Sequence, residues 1–475
     1  MARQAKNTPQ TMNSLPTSLS PAKATSALSS EVWVPRIFLV LSAFTLLLIG
    51  FLMVYSTSSI VAIDEGSAPT YYLVRQLGFA AIGIAACFAI VKYMPYHRWL
   101  GQSVWVFWGI AVILLACTAL IGTEELGAKR WLNIGPVSLQ PSEFAKIAFI
   151  LMAARILTDF RNEELNMKAA LIHMVVLILL PVLFLYKMQS DLGTTLICFM
   201  GILAVMWLGE VRLNVIIMVA VFGLLFALAA SIFTEYRSDR LIFLNPWNDG
   251  SEGLGAGYQL IHSFYAFSEG GLFGVGLGNS REKFLYLPYA DTDFIFAIIG
   301  EELGLLGAVF VVVLFLVFLY AGMRIARNAS DNFGMILAGS CTIAIVFQAF
   351  LNMGCVIGVL PTTGKPLPFI SLGGSSLIAI LCMVGIVLSV SRDSSEPDIY
   401  EQRRANLRVV RSEGATSSAG LFKEKSSSRQ ASSSAPARQM PSEVRAEREA
   451  RARSRQGRKT SSKTGSRSRE SRKRR

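Results

Sequence analysis

Apolar runs of about twenty residues recur along this chain from residue 35 to residue 390, separated by polar connections. An α-helix rises about 1.5 Å per residue, so about 20 apolar residues cross the ~30 Å hydrocarbon core of a bilayer. The pattern therefore predicts an all-α polytopic membrane protein with ten transmembrane helices. The predicted spans are 35–56, 73–93, 99–121, 141–160, 168–187, 191–209, 213–234, 293–320, 332–357 and 367–390.

The polar connections predict the orientation of these helices. An even number of spans places both termini on one side of the membrane. The short loops near Lys92, Arg161 and Arg324 assign that side to the cytoplasm, because cationic loops are retained inside. The opposite side then carries a large extracytoplasmic loop, 235–292, between helices 7 and 8. Loops of this length inside a compact protein are usually functional.

Composition divides the chain into a cytoplasmic N-terminal tail (1–34), a membrane domain (35–392) and a cytoplasmic C-terminal tail (393–475). The net charge of +13 is concentrated at the C-terminus, where residues 401–475 hold 22 Lys and Arg against 7 Asp and Glu. Both tails have too little apolar content to form a core and are predicted to be disordered. The basic tail is expected to contact membrane lipids through their anionic headgroups, and no nucleic-acid partner is expected.

The chain is poor in the side chains that usually bind metals. It holds 3 histidines and 6 cysteines, and the cysteines lie in apolar segments without a CxxC spacing. Such cysteines are typical of small buried hydrophobes. A Ser-His-Asp triad and a His/Cys metal centre are therefore not expected, and no metal-ligating residue is predicted.

Part of the large loop has the pattern of an amphipathic helix. Leu260, Phe264 and Phe267 recur at helical spacing within 257–267. This pattern favours a helix that lies at or dips into the membrane surface.

The polar stretch that ends the large loop becomes strongly apolar at Phe294, and Asp293 stands directly before that change. Ionisable groups at such positions are costly and often functional. Asp is also a favoured helix cap that suits the positive end of the helix dipole. The residues alone leave both interpretations of Asp293 open.

Four further clusters carry charged or amide side chains. Glu143 and Lys146 share one helix face and form either a structural ion pair or part of a site. Arg237 and Arg240 can bind phosphate oxygens, because guanidinium donors match that geometry. Asp191, at another helix start, is explained by capping.

The fourth cluster is the segment 361–376, which is broken by proline and glycine and follows Gln348 and Asn352. Non-helical backbone at membrane depth is tolerated where it is buried in protein or lines a cavity. We therefore predict that this segment is a re-entrant wall. Together the clusters indicate a site at the outer membrane face for a lipid-linked anionic substrate.

The second half of the chain contains several distinctive motifs: GYQLIHS at 257–263, GLFGVGLG at 271–278, KFLYLP at 283–288, TDFIFA at 292–297, GEELG at 300–304 and PTTGKPLPFIS at 361–371. These motifs resemble those of the SEDS family (FtsW, RodA, SpoVE). The similarity extends over 35–392 and leaves out both tails, and the PTTG and LYLP forms are more similar to the cell-division members than to the elongation members.

The resemblance implies a ten-helix peptidoglycan glycosyltransferase that polymerises lipid II at the outer face of the bacterial cytoplasmic membrane, at the division septum. The essential loop aspartate of the family falls on Asp293, which we expect to act as the general base. The family tryptophan falls on Trp131, and the PxExxK residues fall on Glu143 and Lys146. The candidate substrate-binding residues are Arg130, Trp131, Glu143, Lys146, Arg237, Arg240, Gln259, Lys283, Gln348, Asn352, Lys365 and Ser371.

The sequence departs from the family pattern at three positions. Asp291 replaces the usual His of the HTDF motif, Ser190 replaces a Pro, and Leu372 replaces a Tyr. Asp291 adds a second carboxylate two residues from Asp293, and like-charge repulsion between them would raise one pKa.

The implied partners are the lipid II substrate, a class B penicillin-binding transpeptidase and other membrane proteins of the divisome. A divalent cation, Mg²⁺ or Mn²⁺, stays open as a cofactor. Two rival functions also stay open: a lipid II flippase or other transporter, since intramembrane charges and broken helices suit transport, and a non-catalytic division scaffold that recruits a transpeptidase.

Overall fold

The computed structural model describes residues 21–125, 128–134, 137–232, 243–251 and 253–394. Several predictions lie outside these residues: Arg237 and Arg240 of the large loop, the first twenty residues of the N-terminal tail, and the C-terminal tail from residue 395 onward.

The described residues are mostly helical. The helices are α1 (Pro21–Asp64), α2 (Tyr71–Tyr93), α3 (Gln102–Ile121), α4 (Pro141–Arg161), α5 (Met167–Gln189), α6 (Leu192–Leu208), α7 (Leu213–Ile232), α8 (Tyr258–Gly270), α9 (Ile295–Glu302), α10 (Gly304–Arg327), α11 (Asn332–Val356) and α12 (Gly374–Ser394). A 3₁₀ turn, Tyr96–Leu100, joins α2 to α3, and α5 contains a π-helical turn at Val175–Leu179.

Seven of the described helices are long and apolar enough to cross a membrane, namely α1 from Trp33 onward, α2, α3, α5, α10, α11 and α12 up to Asp393. α6 and the Leu213–Phe226 part of α7 are shorter and also apolar. The protein is therefore a polytopic helical membrane protein, as the apolar runs predict.

Local sequence signals explain where several helices begin. α4 begins with Pro141 in its first turn, where the missing N–H costs nothing. Asn166, Asp191 and Asp331 cap α5, α6 and α11, each accepting a backbone N–H three residues further on. Short polar residues before apolar runs thus fix these boundaries.

A small sheet is an exception to the predicted all-α fold. Strands β1 (Thr123–Glu125), β2 (Ala128–Ile134) and β3 (Val137–Leu139) form an antiparallel sheet in the order β1-β2-β3 between α3 and α4. Leu132 pairs with Leu139, and Thr123 pairs with Trp131. The sheet gives Arg130 and Trp131 a fixed backbone.

The predicted eighth span, 293–320, is two helices rather than one. α9 ends at Glu302 and α10 begins at Gly304, whose φ of 69° lies in the left-handed region. That conformation is accessible to glycine at little cost. The N–H groups of Leu305 and Leu306 donate to the carbonyls of Gly271 and Leu272 instead of continuing α9.

α11 lies at the centre of the helix bundle, packed against α4, α6, α10 and α12. A Cβ at Gly322 would lie 2.3 Å from Thr342 Oγ1, and one at Gly339 would lie 2.4 Å from Leu208 Cδ1. Small residues of this kind let membrane helices approach closely. Four polar side chains of α11 are buried in this packing, namely Ser340, Thr342, Gln348 and Asn352.

The apolar face of α8 packs on protein, which contradicts the predicted contact with the membrane surface. Leu260 is buried. The Phe264 ring lies against Gly358, and the ring of Phe267 is 5.9 Å from that of Phe296. The short helix α9, which is buried throughout, packs against α8, so protein rather than lipid covers this face.

Candidate active site

A buried group of charges lies where α4, α6 and α11 meet the helix-free segment 357–373. Lys146 Nζ donates to Glu143 Oε2 at 2.6 Å and to Gln348 Oε1 at 2.8 Å. The Lys146 and Glu143 side chains are 1% and 0% exposed. The ion pair predicted as one alternative is therefore present, and Gln348 of α11 extends it.

Lys365 joins this group to α6. Its ammonium nitrogen lies 2.8 Å from Asp191 Oδ2 and 3.7 Å from Glu143 Oε1. The stem of Lys365 passes over Gly193, where a Cβ would come within 2.5 Å of Lys365 Cγ. We call Glu143, Lys146, Asp191 and Lys365 the charged quartet. Its two cations and two carboxylates balance in formal charge.

Asp191 has two roles that the sequence showed only in part. Its carboxylate caps α6 by accepting the Thr194 N–H at 2.9 Å, as expected, and it also binds Lys365. The ion pair joins residues 174 positions apart in the chain. No local signal could have found it.

Amide side chains of α11 hold the helix-free segment in place. Gln348 Nε2 donates to the Pro366 carbonyl at 3.0 Å, and Asn352 Nδ2 donates to the Lys365 carbonyl at 2.8 Å. The Ser371 hydroxyl accepts the Leu367 N–H, which closes a turn. These bonds satisfy backbone groups that have no helical partner.

Asp293 lies beside the same segment. Asn352 Nδ2 also donates to the Asp293 carbonyl at 2.7 Å, so one amide joins Asp293 to Lys365 through their backbones. A Cβ placed on Gly364 would lie 3.5 Å from Asp293 Oδ2. The N-cap position of α9 is Phe294, so Asp293 stands one residue before the cap.

The helix-free segment also holds Asp291, two residues before Asp293, since the Asp291 carbonyl accepts the Leu372 N–H at 3.0 Å. Burial raises the pKa of the Asp291 carboxyl, and the Glu65 carboxylate adds a smaller contribution in the same direction. The raised pKa was expected at one of the two carboxylates, but its main cause is burial.

Arg130 supports the site from the sheet. Its guanidinium donates to the carbonyls of Gln189 and Ser190, at 3.0 Å and 2.8 Å. These are the last carbonyls of α5 and its left-handed end, groups that lack helical partners. Arg130 thus holds the two residues that directly precede Asp191, a member of the charged quartet.

Lys283 and Gln259, predicted to bind substrate, make other contacts. Lys283 Nζ lies 2.8 Å from Glu302 Oε1 and 3.0 Å from Ser56 Oγ, which fastens the large loop to α1. Gln259 Nε2 donates to the Pro288 carbonyl at 2.9 Å. Lys283 therefore attaches the loop to the bundle, whereas Gln259 joins two parts of the loop, and neither side chain joins the charged quartet.

Of the predicted candidates, the structure brings Glu143, Lys146, Gln348, Asn352 and Lys365 together, with the Asp293 backbone attached to them. Within the described ranges, no group of three or more His, Cys, Asp or Glu side chains could hold a metal ion.

The fold and this site define a polytopic helical membrane protein with a balanced group of buried charges beside an aspartate at a loop–helix junction. The chain belongs to the FtsW, RodA and SpoVE family of cell cycle proteins, whose family model matches residues 36–396. The membership predicted from the sequence motifs is confirmed.

Relatives match across nearly their whole length. Stage V sporulation protein E of Bacillus subtilis (strain 168) is 37% identical over 363 residues, covering 76% of this chain and 98% of that protein. A probable peptidoglycan glycosyltransferase FtsW of Nitrosococcus halophilus (strain Nc4) is 37% identical over 370 residues, covering 77% and 94%. A chain in a solved peptidoglycan synthase complex is 26% identical with a TM-score of 0.59, covering 75% and 97%.

Proposed function

We propose that this protein is a peptidoglycan glycosyltransferase that polymerises lipid II at the outer face of the cytoplasmic membrane during septal wall synthesis. The observation that carries the proposal is the 37% identity, over 94% of its length, to a relative named as a probable peptidoglycan glycosyltransferase. The position of Asp293, beside the helix-free segment that contains Lys365, supports the proposal.

In the proposed reaction, the 4-hydroxyl oxygen of one lipid-linked disaccharide forms a bond to the anomeric carbon of another. The bond from that carbon to the pyrophosphate oxygen breaks, and undecaprenyl pyrophosphate leaves with the electron pair. The hydroxyl proton passes to the Asp293 carboxylate. A positioned base of this kind contributes roughly 10²–10⁴-fold to the rate.

The negative charge that develops on the leaving pyrophosphate needs nearby cations. Lys146 and Lys365 are already paired with carboxylates, so an arriving anion competes with Glu143 and Asp191 for them. Arg237 and Arg240, in the large loop, stay candidates for the same role. A divalent cation bound with the substrate would supply further charge, and loss of activity in EDTA with recovery in Mg²⁺ or Mn²⁺ tests for it.

The proposed topology has ten transmembrane helices with both termini in the cytoplasm. The seven long apolar helices, together with α4, α6 and α7, supply ten. The large loop, 235–292, then lies outside, where lipid II would be presented. Impermeant thiol labelling of single cysteines at Asn248 and Asn328 in intact cells tests this, with labelling expected only at Asn248.

We also propose a class B penicillin-binding transpeptidase as partner. A related chain belongs to a peptidoglycan synthase complex described as coordinating polymerization and crosslinking. Co-purification with a tagged transpeptidase tests the pairing, and enrichment at the septum is tested by imaging.

Purified full-length protein should convert labelled lipid II into glycan ladders, with and without the transpeptidase. We expect Asp293→Asn to lose at least about 100-fold in rate, since a general base supplies that much or more. Asp291→Asn is the matched control, one carboxylate two residues away, and should keep substantial activity.

Three outcomes would contradict the proposal or one of its parts. Wild-type protein without ladders, but with transbilayer movement of labelled lipid II in proteoliposomes, would make it a transporter. Absence of both activities would favour a scaffold. Near-normal activity of Asp293→Asn would leave the enzyme but remove Asp293 as the base.

A further inference from the structure

The glycine loop, residues 271–278, presents apolar side chains to the surroundings. Phe273 is 78% exposed, and Leu272 and Leu277 are 60% and 51% exposed. The loop reads GLFGVGLG and contains no charged or polar side chain. Exposed apolar groups in one contiguous stretch mark an interaction surface.

This surface is continuous with the outer end of α10. Leu305 N–H donates to the Gly271 carbonyl at 2.9 Å, and Leu306 N–H donates to the Leu272 carbonyl at 3.2 Å. Leu305 and Leu306 are themselves 53% and 57% exposed. α10 is one of the helices apolar enough to span a membrane, so its exposed leucines face lipid.

The exposure of the glycine loop is imposed by its backbone. Val275 N–H and Gly276 N–H donate to the Glu301 and Glu302 carbonyls, the last two of α9. A Cβ at Gly274 would lie 2.2 Å from the Glu302 carbonyl oxygen, so the loop packs tightly on that helix end. Its backbone faces α9, and its side chains are therefore held away from the protein interior.

We propose that the glycine loop is a lipid anchor, with Leu272, Phe273 and Leu277 seated in the boundary between headgroups and acyl chains of the outer leaflet. Lipid is the occupant that the observations favour, because the loop is joined to the exposed leucines at the start of α10, a helix apolar enough to span a membrane. The membrane surface contact that the sequence predicted for α8 is thus made by the eight residues that follow it. The leaflet follows from the proposed topology, and the contact does not depend on the proposed reaction.

The test places a photo-crosslinking phenylalanine derivative at Phe273 in the full-length protein, in nanodiscs of one defined phospholipid. Two control variants carry the same derivative at other positions. Val309, on the exposed face of α10, is the lipid-facing control. Asn248, an exposed polar position of the large loop, is the water-facing control. After irradiation, mass spectrometry measures the protein–phospholipid adduct.

We expect an adduct yield at position 273 close to that at 309 and several-fold above that at 248. A yield at 273 no higher than at 248 overturns the proposal. An adduct joining position 273 to a second copy or to another part of the chain also overturns it, because protein and not lipid would then cover the loop. Phe273 is largely exposed, so the replacement should leave folding unchanged, and a monodisperse elution profile verifies this.

Discussion

Lys365 neutralises Asp191 and approaches Glu143 at a buried position, where the charges are shielded from water. Both carboxylates are nearly fully buried. Removing one member of a buried pair leaves an uncompensated charge and costs about 3–5 kcal/mol. We expect Lys365→Met to lower the unfolding temperature strongly in detergent, whereas Lys92→Met, at an exposed lysine, should change it little.

The same argument predicts a rescue. Asn at position 191 can still cap α6 but carries no charge that needs Lys365. The double variant Asp191→Asn/Lys365→Met should therefore unfold at a higher temperature than Lys365→Met alone. Equal unfolding temperatures of the single and double variants would show that the lost charge pairing is not the cause.

Asp291 should make stability depend on pH. Its folded-state pKa is raised above the ordinary value of about 3.9, so ionisation disfavours the folded state. The cost is present above the raised pKa and falls away as the pH drops through it. We expect Asp291→Asn to raise the unfolding temperature at pH 7, with a smaller gain near about pH 4. Thermal unfolding between these pH values measures it.

Asp249 provides a control of opposite sign. Its carboxylate accepts backbone N–H groups, chiefly those of Gly253 and Ser251, which lower its pKa to about 2. Its contribution to stability is present above the unfolded pKa and is lost as the pH falls toward about 2. Asp249→Asn should therefore lower the unfolding temperature at pH 7. Shifts of the same sign in both variants would contradict this account.

At the scale of residues, the sequence allowed us to predict which residues carry the chemistry, but not which residues they contact. Asp293, Glu143 and Lys146 could be singled out because charges stand out in apolar runs. That Lys365 pairs with Asp191, or that Lys283 binds Glu302, could not be predicted, since these partners are brought together only by packing.

Among the elements, the junction between α9 and the glycine loop is tightly built. Gly274 and Gly278 both have φ values of 80°. A Cβ at Gly274 would clash with the Glu302 carbonyl, whereas no described atom lies within 4 Å of a Cβ at Gly278. Gly278→Ala should cost only the left-handed backbone penalty of about 1–2 kcal/mol, and Gly274→Ala distinctly more.

Thermal unfolding of the two glycine variants side by side checks this, because the shared backbone penalty cancels in the comparison. Equal unfolding temperatures would mean that the loop can move away from α9 at no cost. It would then not be a fixed support for the helix that begins just after Asp293.

Helix positions could be predicted from apolar runs, but breaks and strands could not. The run from Phe294 onward is apolar on both sides of Glu301 and Glu302, so the predicted span continues across the end of α9 at Glu302. Gly304 is visible, yet glycine is common within membrane helices. The strands of residues 123–139 are short, and their pairing depends on turns rather than on an alternating pattern.

For the whole molecule, the basic C-terminal tail is expected to act apart from the reaction. Deleting 401–475 should leave lipid II polymerisation intact in vitro and reduce retention at the septum. It should also reduce binding to anionic liposomes, because each Lys or Arg near an anionic leaflet contributes about 1 kcal/mol.

Liposome binding of the full-length chain should weaken as salt rises, because exposed charges are screened beyond about 8 Å at physiological ionic strength. Truncated protein that binds and localises like the full-length chain would contradict this role for the tail. So would a truncated enzyme unable to polymerise lipid II.

The charged quartet also limits how this protein can be recombined with its relatives. Glu143, Lys146 and Asp191 come from the first half of the chain, while Lys365 comes from the second. A chimera joined within the large loop would inherit one set of charges from each parent. Such hybrids should fold only when both parents carry matching charges, so the two halves of the chain must change together.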